Sequence, residues 1–158
     1  MREGVIKFAE RDGVYVIKLE GDVRLTLCLS FDEFIDKMFS APDFCSVVFD
    51  LTDAEAIDST TLGLMAKIAI VGERYLREPP LVVTNAVSIT RCLLTMGFKD
   101  IFCLVDKTSI DSGDFQALVA KDGSEKHIQD KVIEAHKVLM SLNVENKNTF
   151  QELINSLS

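Results

Sequence analysis

Seven residues, Cys45 to Leu51 (CSVVFDL), constrain this chain most. The run is too short for a helix of its own and is dense in β-branched and aromatic side chains, so it reads as a strand buried on both faces. Such a strand needs neighbours in a sheet and helices packed upon it. The rest of the sequence is expected to supply both. Gly4 to Ala9 and Val14 to Leu19 alternate around Asp12-Gly13, a hairpin signal because the turn requires positive φ. Glu20-Gly21-Asp22 breaks the second strand, and 23–29 continues as extended chain. Ser30 is the expected cap of a helix from Phe31 to about Phe39, with Phe31, Phe34, Ile35 and Met38 on one stripe.

After Leu51, a loop over 52–57 leads to a helix from about Thr60 to Arg77, stopped by Pro79-Pro80. Leu81 to Thr84 is another buried strand, Asn85 to Gly97 a helix with a glycine C-cap, and Ile101 to Val105 the last strand. Strands and helices thus alternate, and the expected class is α/β with a mixed, largely parallel sheet and helices packed on it. The tail is helical. Phe115, Leu118 and Val119 mark a short helix, and Ile128, Val132, Ala135, Leu139 and Leu142 mark a longer one with a narrow apolar seam. Residues 143–148 form a polar break before a capping box at Thr149-Phe150-Gln151-Glu152 and a final short helix.

The bulk numbers exclude several functions. At 158 residues, with 47% hydrophobic and 27% charged side chains, the chain suits one globular domain plus an appendage. A net charge of -8 argues against a nucleic-acid partner, because that affinity rests on Lys and Arg neutralising phosphates. No run approaches the roughly 18 apolar residues of a membrane span. The first residues hold no signal-peptide core, so a cytoplasmic location without membrane attachment is expected. Cys28, Cys45, Cys92 and Cys103 are far apart and sit in apolar runs, which reads as four small buried hydrophobes. His127 and His136 fall in the polar tail and read as surface residues. No metal and no cofactor is expected.

The chemistry concentrates in VVFDLTDAEAIDSTTLGLM, Val47 to Met65. A strand delivers Asp58, Ser59, Thr60 and Thr61 to a helix start, where free N–H groups and the positive end of the dipole meet. A phosphate attached there would be held by those donors and would add about -1.5 to -2 charges beside Asp53 and Asp58. The same residues are also ordinary N-cap residues. The helix that follows is apolar over most of its girth. Leu62, Met65, Ala66 and Ala69 make a stripe for the sheet, and Leu64, Ile68, Val71 and Tyr75 make a second one. That second stripe faces either a partner or the chain's own C-terminal helices.

Asp58-Ser59-Thr60-Thr61-Leu62-Gly63 resembles the D-S-S-G-L-G segment of anti-sigma-factor antagonists, the STAS domains of bacterial partner switching. Leu19-Glu20-Gly21-Asp22 resembles the family's L-x-G-E/D, and Arg91-Cys92-Leu93-Leu94-Thr95-Met96-Gly97-Phe98 resembles the end of its third helix. The three motifs occur in the family's order, so the resemblance implies a STAS domain over 1–121 and a helical C-terminal extension over 122–158. It implies a non-enzyme that binds an anti-sigma factor or related serine-protein kinase when unphosphorylated. The kinase phosphorylates the serine after the motif Asp, here Ser59 with Thr60 as the neighbouring hydroxyl, and a PP2C-type phosphatase reverses it. Asp22, Arg24, Asp58, Thr61, Leu62, Gly63 and Leu64 then fall on the partner-facing surface. Thr61 stands where the family has glycine, and Arg24 where it has an acidic residue, so the partner's geometry differs from the usual one. Similar bacterial members act in biofilm, motility or stress control.

Two other readings compete. A two-component receiver would use Asp50 or Asp53 as phosphoacceptor, with Thr84 and Lys107 at the later strand ends, but it lacks the acidic pair that binds Mg²⁺ after the first strand. A hydrolase would use Ser59 as nucleophile, but a serine needs an activating base, and both histidines lie in the tail. The tail itself has three occupants open to it: the second stripe, another copy of the chain in a homodimer through the C-terminal helices, or a separate surface.

Overall fold

The computed structural model describes residues 1–106 and 114–158. Strands β1 (Val5–Arg11) and β2 (Val14–Val23) pair antiparallel with Arg11 opposite Val14, so two residues make the turn. Both have positive φ, 52° at Asp12 and 84° at Gly13, which is the conformation this hairpin demands. The sheet then grows in parallel through β3 (Ser46–Ile57), β4 (Leu81–Val83) and β5 (Cys103–Val105). A two-residue strand, β6 (Gln116–Ala117), pairs antiparallel with the outer edge of β1, giving the order β5-β4-β3-β2-β1-β6. Helices α1 (Cys28–Ser40), α2 (Ser59–Gly72) and α3 (Val87–Thr95) are interleaved with the strands, and α4 (Glu125–Met140) and α5 (Val144–Leu157) follow them. The mixed, largely parallel sheet with packed helices and a C-terminal helical extension is therefore the fold.

The core lies on one face of that sheet. Ile17, Leu19, Phe49 and Leu51 point into it with Phe31, Ile35, Leu62, Met65 and Leu93, all fully buried. The opposite face carries ion pairs, Lys18 to Asp53 at 2.9 Å and Lys7 to Glu20 at 2.6 Å. The run read as a strand buried on both faces is buried at Val47, Phe49, Asp50 and Leu51 and half-buried at Val48, with a polar group on the face away from the core. Its Asp50 points to the polar face, accepting from the Thr52 N–H and hydroxyl at 3.0 and 2.6 Å.

Local boundaries differ from the sequence reading for identifiable reasons. Residues 52–57 are not a loop, because β2 continues alongside them and pairs Gly21 with Ala54, Asp22 with Ala56 and Val23 with Ile57. The extended path expected over 23–29 ends at a 3-10 turn, Leu25–Leu27, where the Asp58 carboxylate captures the Leu25 N–H; α1 starts directly after it. Ser30 is therefore inside α1, and its hydroxyl donates to the Val119 carbonyl instead of capping. α2 stops at Gly72 rather than Arg77, since the Tyr75 and Leu76 N–H groups both fold back to the Gly72 carbonyl at 2.8 Å. Phe115 to Val119 forms no helix; its centre is drawn onto the open edge of β1 as β6. α5 begins five residues before the expected capping box, capped by Asn143, and Thr149 bonds the Glu145 carbonyl from inside the helix. Of the cysteines, only Cys28 is buried; Cys92 is half-buried, and Cys45 and the edge-strand Cys103 are exposed. Lys107 lies outside the described residues. Among those described, no helix is long and apolar enough to cross a membrane.

Candidate functional site

Asp58 is the joint between β3 and α2. One carboxylate oxygen accepts the Thr61 N–H at 2.9 Å as an N-cap, and the other accepts the Leu25 N–H at 2.7 Å. Its own N–H donates to the Val23 carbonyl at 3.0 Å. One side chain thus fixes the start of α2 and the turn after β2 together. On that neighbouring strand Gly21 has φ 71°, and a Cβ there would stand 2.6 Å from the Glu3 carbonyl oxygen. Asp22 follows and pairs with the exposed Arg24 at 2.9 Å. Asp22, Arg24 and Asp58 are therefore assembled at the same end of the sheet, at the positive end of α2.

Ser59 opens α2, and its hydroxyl is engaged by the tail. Oγ lies 2.7 Å from Nε2 of His136, a residue of α4 that is 2% exposed. The reading of His136 as a surface residue is corrected. Its Nδ1 lies 2.7 Å from the Val132 carbonyl oxygen, which can only accept, so Nδ1 carries a hydrogen. In the neutral ring Nε2 is then the acceptor for the Ser59 hydroxyl. Phe150 of α5 stands edge-on to the imidazole with centroids 5.0 Å apart. The chain packs this closely because Gly63 has no side chain: a Cβ there would be 2.3 Å from the Ala135 carbonyl oxygen. Ser59, Gly63 and Lys67, four residues apart, form the stripe that meets α4.

Lys67 ends that stripe in a cluster of four charges. Its ammonium contacts Asp32 of α1 at 2.9 Å and Glu134 of α4 at 2.8 Å, and Lys131 of α4 contacts Asp32 at 2.7 Å and Glu134 at 3.2 Å. Burial pushes the Asp32 carboxyl up, but hydrogen bonds from Lys131 and Lys67 outweigh it and hold it below the ordinary carboxylate range. The same balance of burial against Lys67 and Lys131 lowers Glu134. For Lys67, burial favours the neutral amine, yet Glu134 and Asp32 keep its pKa above the usual value. Lys131 is raised chiefly by its bond to Asp32. All four groups stay charged around neutral pH, and together they tie α4 to α1 and α2.

Of the expected site residues, those from Ser59 to Leu64 lie together at the start of α2 in a covered state, while Asp22 and Arg24 lie beside them at the end of β2, with Arg24 exposed. Ser59 is half-buried, Thr60 and Thr61 are 3% and 2% exposed, and Leu62, Gly63 and Leu64 are buried. Of the second apolar stripe, Leu64 and Ile68 are buried while Val71 and Tyr75 remain exposed. Sequence reasoning missed His136 and the helix contact at Gly63. The one available signal was Ala135, a small residue in an otherwise bulky seam. The argument that no base stands near Ser59 is also corrected, since His136 has a base's position. Against a hydrolase is the burial of that imidazole and the helix lying across the serine. Against a receiver, Asp50 and Asp53 lie within β3 rather than at its end, both near Lys18, and β1 and β2 are antiparallel.

Comparison with protein-family models gives no match, and comparison with curated protein sequences gives none either. Among solved structures, the chain is similar to an anti-sigma factor antagonist from Mycobacterium paratuberculosis, at 20% identity and a TM-score of 0.53, over 66% of this chain and 87% of that one. The architecture described above, with its antiparallel opening hairpin and parallel sheet, is thus a STAS-like fold.

Proposed function

We propose that this chain is a phospho-switch binding module of the anti-sigma-factor-antagonist type, with Ser59 as phosphoacceptor. The observation that carries the reading is Ser59 at the first position of α2, directly after the N-cap Asp58 and within the motif DSTTLG. In transfer from ATP, the bond from the γ-phosphorus to the β,γ-bridging oxygen breaks and an Oγ–P bond forms. ADP leaves, and the hydroxyl proton passes to the kinase's base. The product places about two negative charges next to Asp58 at a helix N-terminus, where N–H donors favour the phosphate and the carboxylate repels it. Thr60, more deeply buried, is the second acceptor. The partner is an anti-sigma factor or serine-protein kinase that binds the unphosphorylated turn through Asp22, Arg24, Asp58 and the outward side of the segment Thr61 to Leu64, with Leu62 anchoring that segment in the core. A PP2C-type phosphatase restores it.

The chain itself carries out no catalysis in this reading and works in the bacterial cytoplasm, in control of transcription within biofilm, motility or stress responses. The unit over 1–121 is the switch domain and 122–158 its appendage. The test is binding of the co-purifying partner to Ser59→Asp and Ser59→Ala chains. Ser59→Asp is expected to lose the partner and Ser59→Ala to keep it. Equal affinity for both overturns charge at Ser59 as the switch.

A further inference from the structure

The tail does more than fill an apolar face. We infer that α4 is a reversible autoinhibitory cover over the first turn of α2, with His136 as the plug on Ser59, so that the acceptor hydroxyl is reached only when α4 lifts. This inference rests on the reading of Ser59 as phosphoacceptor and names how access to it is controlled.

Three observations carry it. The first is direct occupancy. The hydroxyl that must meet a phosphoryl donor is bonded at 2.7 Å to a ring that is 2% exposed, and the next turn of α2 touches the α4 backbone through Gly63. A phosphoryl group, with three oxygens around phosphorus, has no place there until the imidazole moves. The second is the chemistry of the contact. Beside the apolar contacts of the buried Ala135 and Leu139, α4 meets α1 and α2 through Ser59–His136 and the Lys67, Asp32, Lys131, Glu134 cluster, polar and charged contacts that water can replace. Within α4 only Ala135, His136 and Leu139 are buried. Polar, ion-paired faces of this kind favour docking that reverses. The third is the tether. Residues 119–124 are exposed and without regular structure, held to α1 by the Ser30–Val119 bond and the Lys121–Glu33 ion pair, so the α4–α5 pair can swing from α1 and α2 as a unit once these surface contacts open. The two helices are joined by the buried Asn146 amide, which donates to the Leu139 carbonyl at 2.9 Å, and by Phe150 backing His136; the same amide donates to the Met96 carbonyl at 2.8 Å, the bond that must open at the α3 side.

The cover also gives phosphorylation a second consequence. A dianion on Ser59 Oγ and His136 in its present place exclude one another sterically, so the modified chain holds α4 open. Ser59 modification and α4 docking are then coupled in both directions, as linkage requires.

The test uses the full chain and its Ala135→Glu and Lys131→Glu variants. Both substituted residues lie in α4 and leave the sequence of α2 unchanged. Ala135→Glu drives a carboxylate into the Gly63 contact, and Lys131→Glu sets a carboxylate against Asp32 and Glu134. Amide exchange by mass spectrometry first shows that β2 and β3 keep their protection while α4 loses it. Each chain is then incubated in an extract of the native host with ATPγS, whose thiophosphate resists phosphatases, and the initial rate at Ser59 is read by peptide mapping. The rate scales with the open fraction, so a cover closed in about nine molecules of ten gives a rise of about ten-fold. A rise in both variants supports the inference. An unchanged or lower rate, with α4 shown open, overturns it and leaves Ser59 as acceptor. Thiophosphate absent from Ser59 in every chain overturns the acceptor reading and the inference with it.

Discussion

Replacing Gly63 by alanine puts the α2–α4 contact under the sharpest strain the structure allows. The added Cβ would sit 2.3 Å from the Ala135 carbonyl oxygen, 2.6 Å from its carbon and 2.8 Å from the Ala135 Cβ. Carbon contacts settle at about 3.5 Å or beyond, so α4 must retreat by ~1 Å, and a gap of that size forfeits up to about half of each neighbouring contact. The atoms in the way are backbone, which no rotamer change relieves. Overpacking of this kind costs about 1–3 kcal/mol, against which alanine returns about 1 kcal/mol of helix propensity. The expected net is a loss of ~1 kcal/mol, felt at α4 and not in the sheet, or about five-fold faster local opening. Native-state amide exchange resolved by peptide measures it: residues 125–140 lose protection, and β2 and β3 do not. A chain stabilised by about 1 kcal/mol, with α4 protection unchanged, would mean that α4 is not seated against Gly63.

Other perturbations separate the parts of the site. Asp58→Ala removes the N-cap of α2 and the acceptor of the Leu25 N–H at once, and thermal unfolding is expected to show a loss of about 2 kcal/mol. Asp32→Ala leaves Lys67 and Lys131 with the partly exposed Glu134 alone, which is expected to cost ~2 kcal/mol in urea unfolding, below the range for a fully buried pair. The pH dependence follows from the same cluster. Asp32 and Glu134 are held below their unfolded values, so their stabilisation is full above about pH 4–5 and disappears as pH falls through the lower folded values. Lys67 and Lys131 are raised, so theirs is full below about pH 10 and is lost as pH climbs through the folded values. Exchange protection of α4 is therefore expected to be level from about pH 5 to 9 and to fall in acid, an acid loss that Asp32→Ala blunts. Asn146→Leu removes the donor to the Met96 and Leu139 carbonyls, with an expected loss of about 2 kcal/mol centred on the α4–α5 junction.

The order of strands and helices was legible because its signals are local. Asp12-Gly13 demands a hairpin, Pro79-Pro80 ends the segment before β4, and CSVVFDL has no other use than a strand. Boundaries failed where a distant group decided them. β3 extends to Ile57 because β2 pairs with it, and the extended chain after Val23 ends early because Asp58, 33 residues on, takes the Leu25 N–H. The site was half legible. DSTTLG marks the helix start, and Asp58 does cap it. The contact with α4 was hidden, since His136 in a polar tail reads as solvated, and its partner lies 77 residues away. Gly63 was read only as part of the motif, and its close approach to the α4 backbone emerges from the fold.

The most direct test of the central claim is phosphosite mapping of the intact chain purified from its native host. Phosphate on Ser59, absent from a Ser59→Ala/Thr60→Ala chain, is the expected result. Phosphate found only at other residues, or none under any growth condition with the partner still bound equally to Ser59→Asp and Ser59→Ala, would contradict it.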